Sequence, residues 1–243
     1  MTPSGRARRG VTLLELLVVT TLAGLLSLGI LYSMRIGLHA MERTHDRLLS
    51  NRRVVGAQRA LENQMAGLIP VSFRCGAPTA VVGSIFFQGE PNGMRFISSY
   101  SLQEAARGYP RILEYLVIPT PAGARLVVTE RHYTGPLSIL PLCAGAGVDG
   151  TGAAMLQPLQ LTGEPFVLAD RLAFCRLSYL IVNRATRQRA WLPRFIGNAP
   201  PEAVRIEMAP MMPDPARLGM TAMTLPVRVE RFGAETYVDI EEE

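Results

Sequence analysis

The sequence predicts an α+β fold in which one long N-terminal helix packs on a largely antiparallel β-sheet domain. No proline occurs between Val11 and Ile69, so a single helix can run through this segment until Pro70 stops it. From residue 71 onward, short runs rich in Val, Ile, Phe and Tyr alternate with turns rich in Pro and Gly. One long helix followed by consecutive short strands is typical of α+β domains.

The first half of the predicted helix is apolar enough to span a membrane. Residues 16–34 carry no charge and would measure roughly 28 Å as a helix, close to the thickness of bilayer hydrocarbon. Arg6, Arg8 and Arg9 precede this run, so the positive-inside rule keeps the leader cytoplasmic and places the chain beyond Met34 outside. We therefore divide the chain into a basic leader (1–10), a membrane-spanning helix (11–34), a stalk helix (35–69) and a β-rich globular domain (70–243).

The stalk half of the helix is amphipathic. Apolar residues recur there at intervals of three, four or seven, while charged residues mostly fill the other sides. Such a helix cannot bury its apolar stripe alone. We expect four of its apolar side chains to pack under the sheet or on adjacent helices: Met41, Val55, Leu61 and Met65.

The globular domain is expected to be built from short strands. Period-two alternation in residues 125–131 and 204–208 indicates strands with one wet face, and the stretch from Tyr100 to Arg107 is compatible with a short helix. The predicted strands lie near residues 81–87, 94–98, 112–118, 124–132, 166–181 (one strand or two), 189–195, 203–208 and 224–232.

The three cysteines lie in the part of the chain that we place outside the cytoplasm, where disulfides form. Cys75 and Cys143 each stand beside Gly- and Ala-rich loop sequence, so we prefer them as a pair. Cys175 lies in an apolar strand pattern, which indicates a buried thiol. No CxxC motif or nearby histidine pair accompanies them, so no metal is expected.

Two other patterns in the domain are weak. Residues 145–150 fit G-x-G-x-x-G, but a dinucleotide site needs a helix starting in that loop within a βαβ unit, and Gly152 and Pro158 follow instead. Asp149 lacks the alternating acidic neighbours of a calcium loop. We therefore expect no cofactor and no enzymatic activity. Because three of the five net positive charges belong to the leader, we expect no nucleic-acid partner.

The junction between leader and helix carries the strongest motif. Gly10 ends the basic leader, and Glu15 follows five residues later at the head of the apolar run, where a lone carboxylate is costly. Gly10 to Glu15 resembles the processing site of type IV prepilins and type II secretion pseudopilins, with Val11 in place of the more usual Phe. A cleaved secretory signal and a plain signal anchor are the alternatives, and neither explains Gly10 together with Glu15.

The resemblance to prepilins implies roles for three residues. A prepilin peptidase cuts after Gly10 and methylates the new N-terminus at Val11. Glu15 then guides assembly by pairing with the N-terminal ammonium of a neighbouring subunit, an ion pair that specifies register more than it stabilises. The resemblance also implies an inner-membrane protein that spans the membrane once, with its N-terminus cytoplasmic and its domain periplasmic.

The strand sequences resemble the J-type minor pseudopilins of type II secretion. The resemblance is carried by residues 113–117, 125–131, 177–180, 191–193 and 203–207. It implies a non-enzymatic fibre-tip subunit that supports protein export. Its partners would be other minor and major pseudopilins, the inner-membrane assembly platform and exported cargo. A minor pilin of a type IV pilus, used in adhesion, motility or DNA uptake, is one alternative. A membrane-anchored periplasmic enzyme or binding module is another.

Overall fold

A computed structural model describes residues 12–73, 75, 84–145, 155–183, 186–197, 199–212 and 222–228. The chain divides into two compact units, Met1–Leu49 and Ser50–Glu243. A single helix, α1, runs from Leu13 to Ala66 and contributes residues to both units. The sequence-based division placed the domain boundary at residue 70, whereas here the last turns of the helix belong to the unit that contains the sheet.

Helix α1 ends at Gly67, three residues before Pro70. The Gly67 amide donates to the Asn63 carbonyl at 2.9 Å, and the Leu68 amide donates to the Met65 carbonyl at 3.2 Å. A Cβ atom on Gly67 would lie 2.8 Å from the Ser98 hydroxyl oxygen, so glycine lets the helix end approach the sheet closely.

The strands pair antiparallel throughout, which confirms the α+β fold class. The main sheet has the order β11-β3-β4-β5-β6-β9-β12-β13, with β10 also paired to β9. The strands are β1 (Ser72–Phe73), β2 (Ser84–Ile85), β3 (Phe87–Glu90), β4 (Gly93–Ser101), β5 (Ala106–Thr120), β6 (Gly123–His132), β7 (Cys143–Gly145), β8 (Met155–Leu156), β9 (Phe166–Val182), β10 (Arg189–Leu192), β11 (Phe195–Ile196), β12 (Ala203–Pro210) and β13 (Met223–Pro226). A 3₁₀ helix spans Pro136–Leu142.

The short helix from Tyr100 to Arg107 does not form. Strand β4 runs to Ser101, and β5 begins at Ala106 after a tight turn in which Ala105 has φ 49°. The Glu130 carboxylate accepts hydrogen bonds from the Ser101 hydroxyl at 2.8 Å and the Leu102 amide at 2.7 Å. These long-range bonds fix a hairpin turn that local sequence does not reveal.

Three other strand predictions need adjustment. Residues 166–182 form one bent strand, because Arg171 takes φ 52° close to where β9 changes partner from β6 to β12. The strand predicted at 189–195 splits into β10 and β11, since Pro193 interrupts it. The strands predicted at 203–208 and 224–232 pair with each other as β12 and β13, and residues 229–232 of the second prediction lie outside the described residues.

The main sheet packs against α1 on one face. The core of this face combines helix residues Ala57, Leu61 and Met65 with sheet residues that include Phe96, Tyr115, Val128 and Tyr179. Leu61 and Met65 therefore pack under the sheet as expected. Met41 and Val55 are exposed in the single chain, so they are the stalk positions left for another helix.

The opposite face is covered in part by what we call the second layer: β1, the 3₁₀ helix, β7 and β8, together with Cys75 and Phe86. Its apolar residues pack on Ile97 and Ile112 of the sheet, and they comprise Phe73, Cys75, Phe86, Ile139, Leu142 and Leu156. Cys75 and Cys143 are joined by a disulfide within this layer, with their Cα atoms 5.6 Å apart. Cys175 is a buried free thiol in the helix-facing core, as its strand pattern indicated.

Gln64 is the polar contact that fixes α1 on the sheet. Its side chain is fully buried, donates to the Glu130 carboxylate at 2.9 Å and accepts a bond from the Tyr115 hydroxyl. The Gln64 carbonyl accepts from the Ser98 hydroxyl at 2.8 Å. Burial, with the nearby Glu130 charge, raises the pKa of Tyr115 well above its ordinary value. Tyr115 therefore remains a proton donor to Gln64.

Arg95 and Glu114 form a buried ion pair on the opposite face of the sheet. The Arg95 Nε donates to the Glu114 carboxylate at 2.5 Å, and its Nη1 donates to the Gln88 side chain at 2.9 Å and the Gln157 carbonyl at 3.2 Å. Burial lowers the pKa of Arg95 from its ordinary value, while the Glu114 charge opposes that shift. This pair links the sheet to the segment that follows the second layer.

Tyr179 of β9 reaches across the helix-facing side of the sheet to β3 and β4, which are not its neighbours in the strand order. Its hydroxyl lies 2.9 Å from the Glu90 carbonyl and 2.8 Å from the Gly93 carbonyl. A Cβ atom on Gly89 would lie 2.5 Å from the Tyr179 ring, so the ring requires glycine at this position of β3.

We expect Gln64→Ala to lower the free energy of unfolding of the domain by about 2–3 kcal/mol, because it leaves the buried Tyr115 hydroxyl without its acceptor and removes one of the hydrogen bonds to Glu130. Urea unfolding in detergent, followed by circular dichroism, measures this. Gln58→Ala is the matched control, since Gln58 is exposed and bonds only to exposed Glu62 at 3.1 Å. Equal losses in the two variants would contradict the role assigned to Gln64.

Thiol titration should find no reactive cysteine in the native protein. Burial raises the pKa of Cys175 to about 12, so its reactive thiolate is scarce at neutral pH. Unfolding without reductant should release one thiol, and unfolding with reductant should release all three. Cys175→Ala should abolish the thiol released without reductant. A thiol that reacts in the native protein would overturn this assignment.

Candidate functional site

The candidate site is the start of helix α1, where Thr12 forms the N-terminal cap. The Thr12 hydroxyl oxygen accepts a hydrogen bond from the Glu15 amide at 3.3 Å, and the Thr12 carbonyl accepts from the Leu16 amide at 3.2 Å. Sequence reasoning missed this cap, although Thr12-Leu-Leu-Glu15 has the T-x-x-E spacing of a capping box. Thr12 therefore fixes where the helix begins and places Glu15 in its first turn.

Glu15 is exposed and has no hydrogen-bond or ion-pair partner for its carboxylate among the described residues. The helix N-terminus carries partial positive charge from its free amide groups, which favours an acidic side chain in the first turn. That effect is worth up to about 1 kcal/mol at exposed positions, far less than the cost of isolating a carboxylate in hydrocarbon. The described part of the chain therefore offsets only a small part of the free-energy cost of placing this carboxylate in hydrocarbon.

The apolar side chains that follow Glu15 are uncovered. From Leu13 to Met34 the large apolar residues are between 44% (Val18) and 83% (Leu13) exposed, so nothing in the single chain buries them. By length and composition, helix α1 can cross a membrane.

Three hydroxyl groups in this segment donate to carbonyl groups of the same helix. Thr20 and Thr21 donate to the Leu17 carbonyl at 3.1 and 3.0 Å, and Ser27 donates to the Ala23 carbonyl at 2.8 Å. A helix also satisfies its own backbone groups, which is the condition for a segment that enters lipid. Glu15 is the one charged side chain among residues 13–34, and no described residue pairs with its carboxylate.

Gly10 and Val11, the predicted cleavage and methylation positions, lie outside the described residues. Their roles remain predictions from the sequence. The structure brings the described part of the motif, Thr12 to Glu15, onto the first turn of the helix immediately after these two residues.

The glycine motif at residues 145–150 does not have the surroundings of a dinucleotide site. Residues 146–154, including Asp149, lie outside the described residues. The described segments on either side, β7 and β8, pair antiparallel, whereas a dinucleotide fingerprint needs a strand followed by a helix.

His132, the histidine of the sheet domain, is hydrogen-bonded to Arg111. His132 accepts a hydrogen bond at Nε2 from Arg111 Nη1 at 2.9 Å, because a guanidinium can only donate, and Arg111 also pairs with Glu104. Within the described ranges, no group of three His, Cys, Asp or Glu residues is arranged to hold a metal ion.

Sequence reasoning also missed Gln64 and Arg95, whose burial arises only from the packing of distant segments.

Trp191 lies on β10, opposite Leu180 of β9. The Arg205 guanidinium carbon lies 4.0 Å from the centre of its ring, a cation–π contact between β10 and β12.

Comparison with known families matches residues 5–31 to the family model described as the prokaryotic N-terminal methylation motif. Comparisons with curated proteins and with solved structures return no match. The matched residues include Gly10, Val11 and Glu15 and the first turns of the exposed apolar helix. The chain therefore carries a prokaryotic N-terminal methylation motif ahead of a long apolar helix, and its N-terminal region is prepilin-like.

Proposed function

We propose that this chain is a minor pseudopilin of a type II secretion system, which assembles at the tip of a periplasmic fibre and initiates it. The observation that carries the proposal is Glu15, an acidic residue that no described residue pairs with, in the first turn of an exposed, membrane-length apolar helix. The methylation motif supports processing by a prepilin peptidase, with cleavage after Gly10 and methylation of Val11.

Glu15 acts in this proposal as the residue that sets assembly register. Cleavage after Gly10 creates a positively charged amino group at Val11, only a few residues from the carboxylate of Glu15. Two such helices side by side can pair the carboxylate of one with the amino group of the other. A buried pair of this kind selects one relative position, because any other leaves an unpaired charge in hydrocarbon.

The orientation we propose places the leader in the cytoplasm and the domain in the periplasm. The leader arginines favour this orientation by the positive-inside rule. The disulfide between Cys75 and Cys143 supports it as well, since such bonds persist in the periplasm and are rare in the cytoplasm.

The choice of secretion over a pilus is supported by the strands that resemble J-type pseudopilins. Their segments lie in β5, β6, β9, β10 and β12, which the structure brings together in one sheet. We infer a structural, non-enzymatic role for this domain, in contact with other pseudopilins, the assembly platform and exported cargo. A minor pilin of a type IV pilus is the second candidate, because the methylation motif serves both assemblies.

We expect Gly10→Val to block processing and leave the leader attached, because the peptidase requires glycine before the cleavage site. Intact-mass measurement of the protein purified from membranes detects the retained leader and the missing methyl group. Gly5→Val is the matched control, as it makes the same substitution inside the leader and should leave processing unchanged. Normal cleavage of the Gly10→Val protein would refute the processing site.

We expect Glu15→Ala to insert into the membrane normally, since it removes a charge from the apolar segment. Its incorporation into assemblies should fall by roughly a hundredfold, because the neighbour's amino group loses a buried partner. Co-isolation of other subunits from solubilised membranes measures incorporation, and their identity separates the two candidates. Secretion pseudopilins among them support the first candidate, and pilus subunits support the second.

Glu42→Ala is the matched control for this experiment. Glu42 is an exposed acidic residue of the same helix beyond the apolar run, with His39 at 3.4 Å. It should co-isolate as the unsubstituted protein does. If Glu15→Ala also co-isolates normally, Glu15 does not recruit this subunit.

A further inference from the structure

The second layer is attached to the sheet through a small set of contacts. Its apolar side chains rest on Ile97 and Ile112, both completely or almost completely buried, on the face opposite α1. The Phe86 amide donates to the Val71 carbonyl at 2.8 Å, which holds the residue between β2 and β3 beside the residue that precedes β1. The strands of the layer contain only two or three residues each, so they supply few ladder hydrogen bonds.

Gln157 provides the polar connection between this layer and the sheet. Its amide donates to the Leu142 carbonyl at 2.7 Å, and its side chain donates to the Cys143 carbonyl at 3.3 Å. Its own carbonyl accepts from Arg95 at 3.2 Å. The main chain at Cys143 is therefore coupled through one residue to the buried Arg95–Glu114 ion pair.

The disulfide ties two distant parts of the second layer to each other. Cys75 follows β1, and Cys143 begins β7 directly after the 3₁₀ helix, 68 residues later in the chain. Cys75 is itself buried in the apolar cluster of the layer. The helix-facing core contains no part of this disulfide, because its one cysteine is the free thiol Cys175.

We propose that the Cys75–Cys143 disulfide is a redox latch that holds the second layer on a sheet whose helix-facing core folds without it. A dithiol reductant opens the latch by supplying two electrons and two protons. The bond between the two sulfur atoms breaks, each cysteine becomes a thiol, and the reductant becomes a disulfide. The layer then separates from Ile97 and Ile112, while α1 stays docked through Gln64, Leu61 and Met65.

The physical reason is the unequal attachment of the two faces. On the helix-facing side, long strands, a large apolar core and the Gln64 contacts act together. On the other side, the second layer has few ladder hydrogen bonds. The disulfide closes the long loop between the cysteines, and this reduces the number of conformations in which the layer is detached from the sheet. The disulfide therefore holds the second layer on the sheet only in an oxidising compartment. The proposal concerns the domain itself and stands whether or not the chain joins a fibre.

Hydrogen–deuterium exchange of the full chain in detergent tests this proposal. The double variant Cys75→Ser/Cys143→Ser should exchange the Phe86 and Gln157 amides roughly a hundredfold faster than the unsubstituted protein. The amides of Tyr115 and Val128 in the central strands should exchange within about threefold of their original rates. Cys175→Ala, which leaves the disulfide in place, is the matched control and should show no acceleration at Phe86 or Gln157.

Reduction of the folded, unsubstituted protein with dithiothreitol should give the same pattern and reverse on reoxidation. Equal acceleration in both groups of amides would overturn the proposal, since the layer would not open independently. Unchanged exchange at Phe86 and Gln157 would overturn it too. A double variant without helix and sheet signals in circular dichroism would also count against it, because the core would then require the disulfide.

Discussion

A carboxylate in an apolar, membrane-length helix needs a partner, and this constraint shapes the N-terminal half of helix α1. Helix α1 satisfies its own backbone groups and the hydroxyls of Thr20, Thr21 and Ser27, and Thr12 caps its first turn. Its apolar side chains are uncovered along the whole segment. The carboxylate of Glu15 is the charged group of this segment, and no described residue pairs with it. Its charge is reasonable only if another molecule supplies the opposite one, and the cleaved N-terminus of a neighbouring prepilin-like chain is the source we propose.

The other end of the same helix follows the opposite principle. There Gln64, a buried polar side chain of the helix, finds its partners within the chain and bonds to Tyr115 and Glu130, while its carbonyl accepts from Ser98. A buried polar group without a partner would cost about 1–3 kcal/mol, so these contacts strongly favour one position of the last helical turns on the sheet. The end of the helix is therefore held by contacts within the chain, whereas its start, in our proposal, needs contacts with another subunit.

Local sequence pattern was enough to predict the long helix, the antiparallel strands and the buried Cys175. It failed where distant residues decide the structure. The turn between β4 and β5 was compatible with a helix, but Glu130, far along the chain, holds it as a hairpin. The burial of Gln64 and Arg95 could not be predicted from sequence periodicity, because the residues that cover them lie far away in the chain. The Thr12 cap was visible as a spacing and was overlooked because Glu15 was considered only as a charge.

The most direct test of this account is to ask which amine lies beside Glu15 in the assembled state. A hydrophobic carbodiimide joins a carboxylate to an adjacent amine without adding atoms between them, and mass spectrometry of the digested product identifies both residues. The account predicts an amide bond between Glu15 of one chain and the N-terminal amine of another subunit, absent from the Glu15→Gln protein. Assemblies that form normally while Glu15 is linked to no other chain would contradict it.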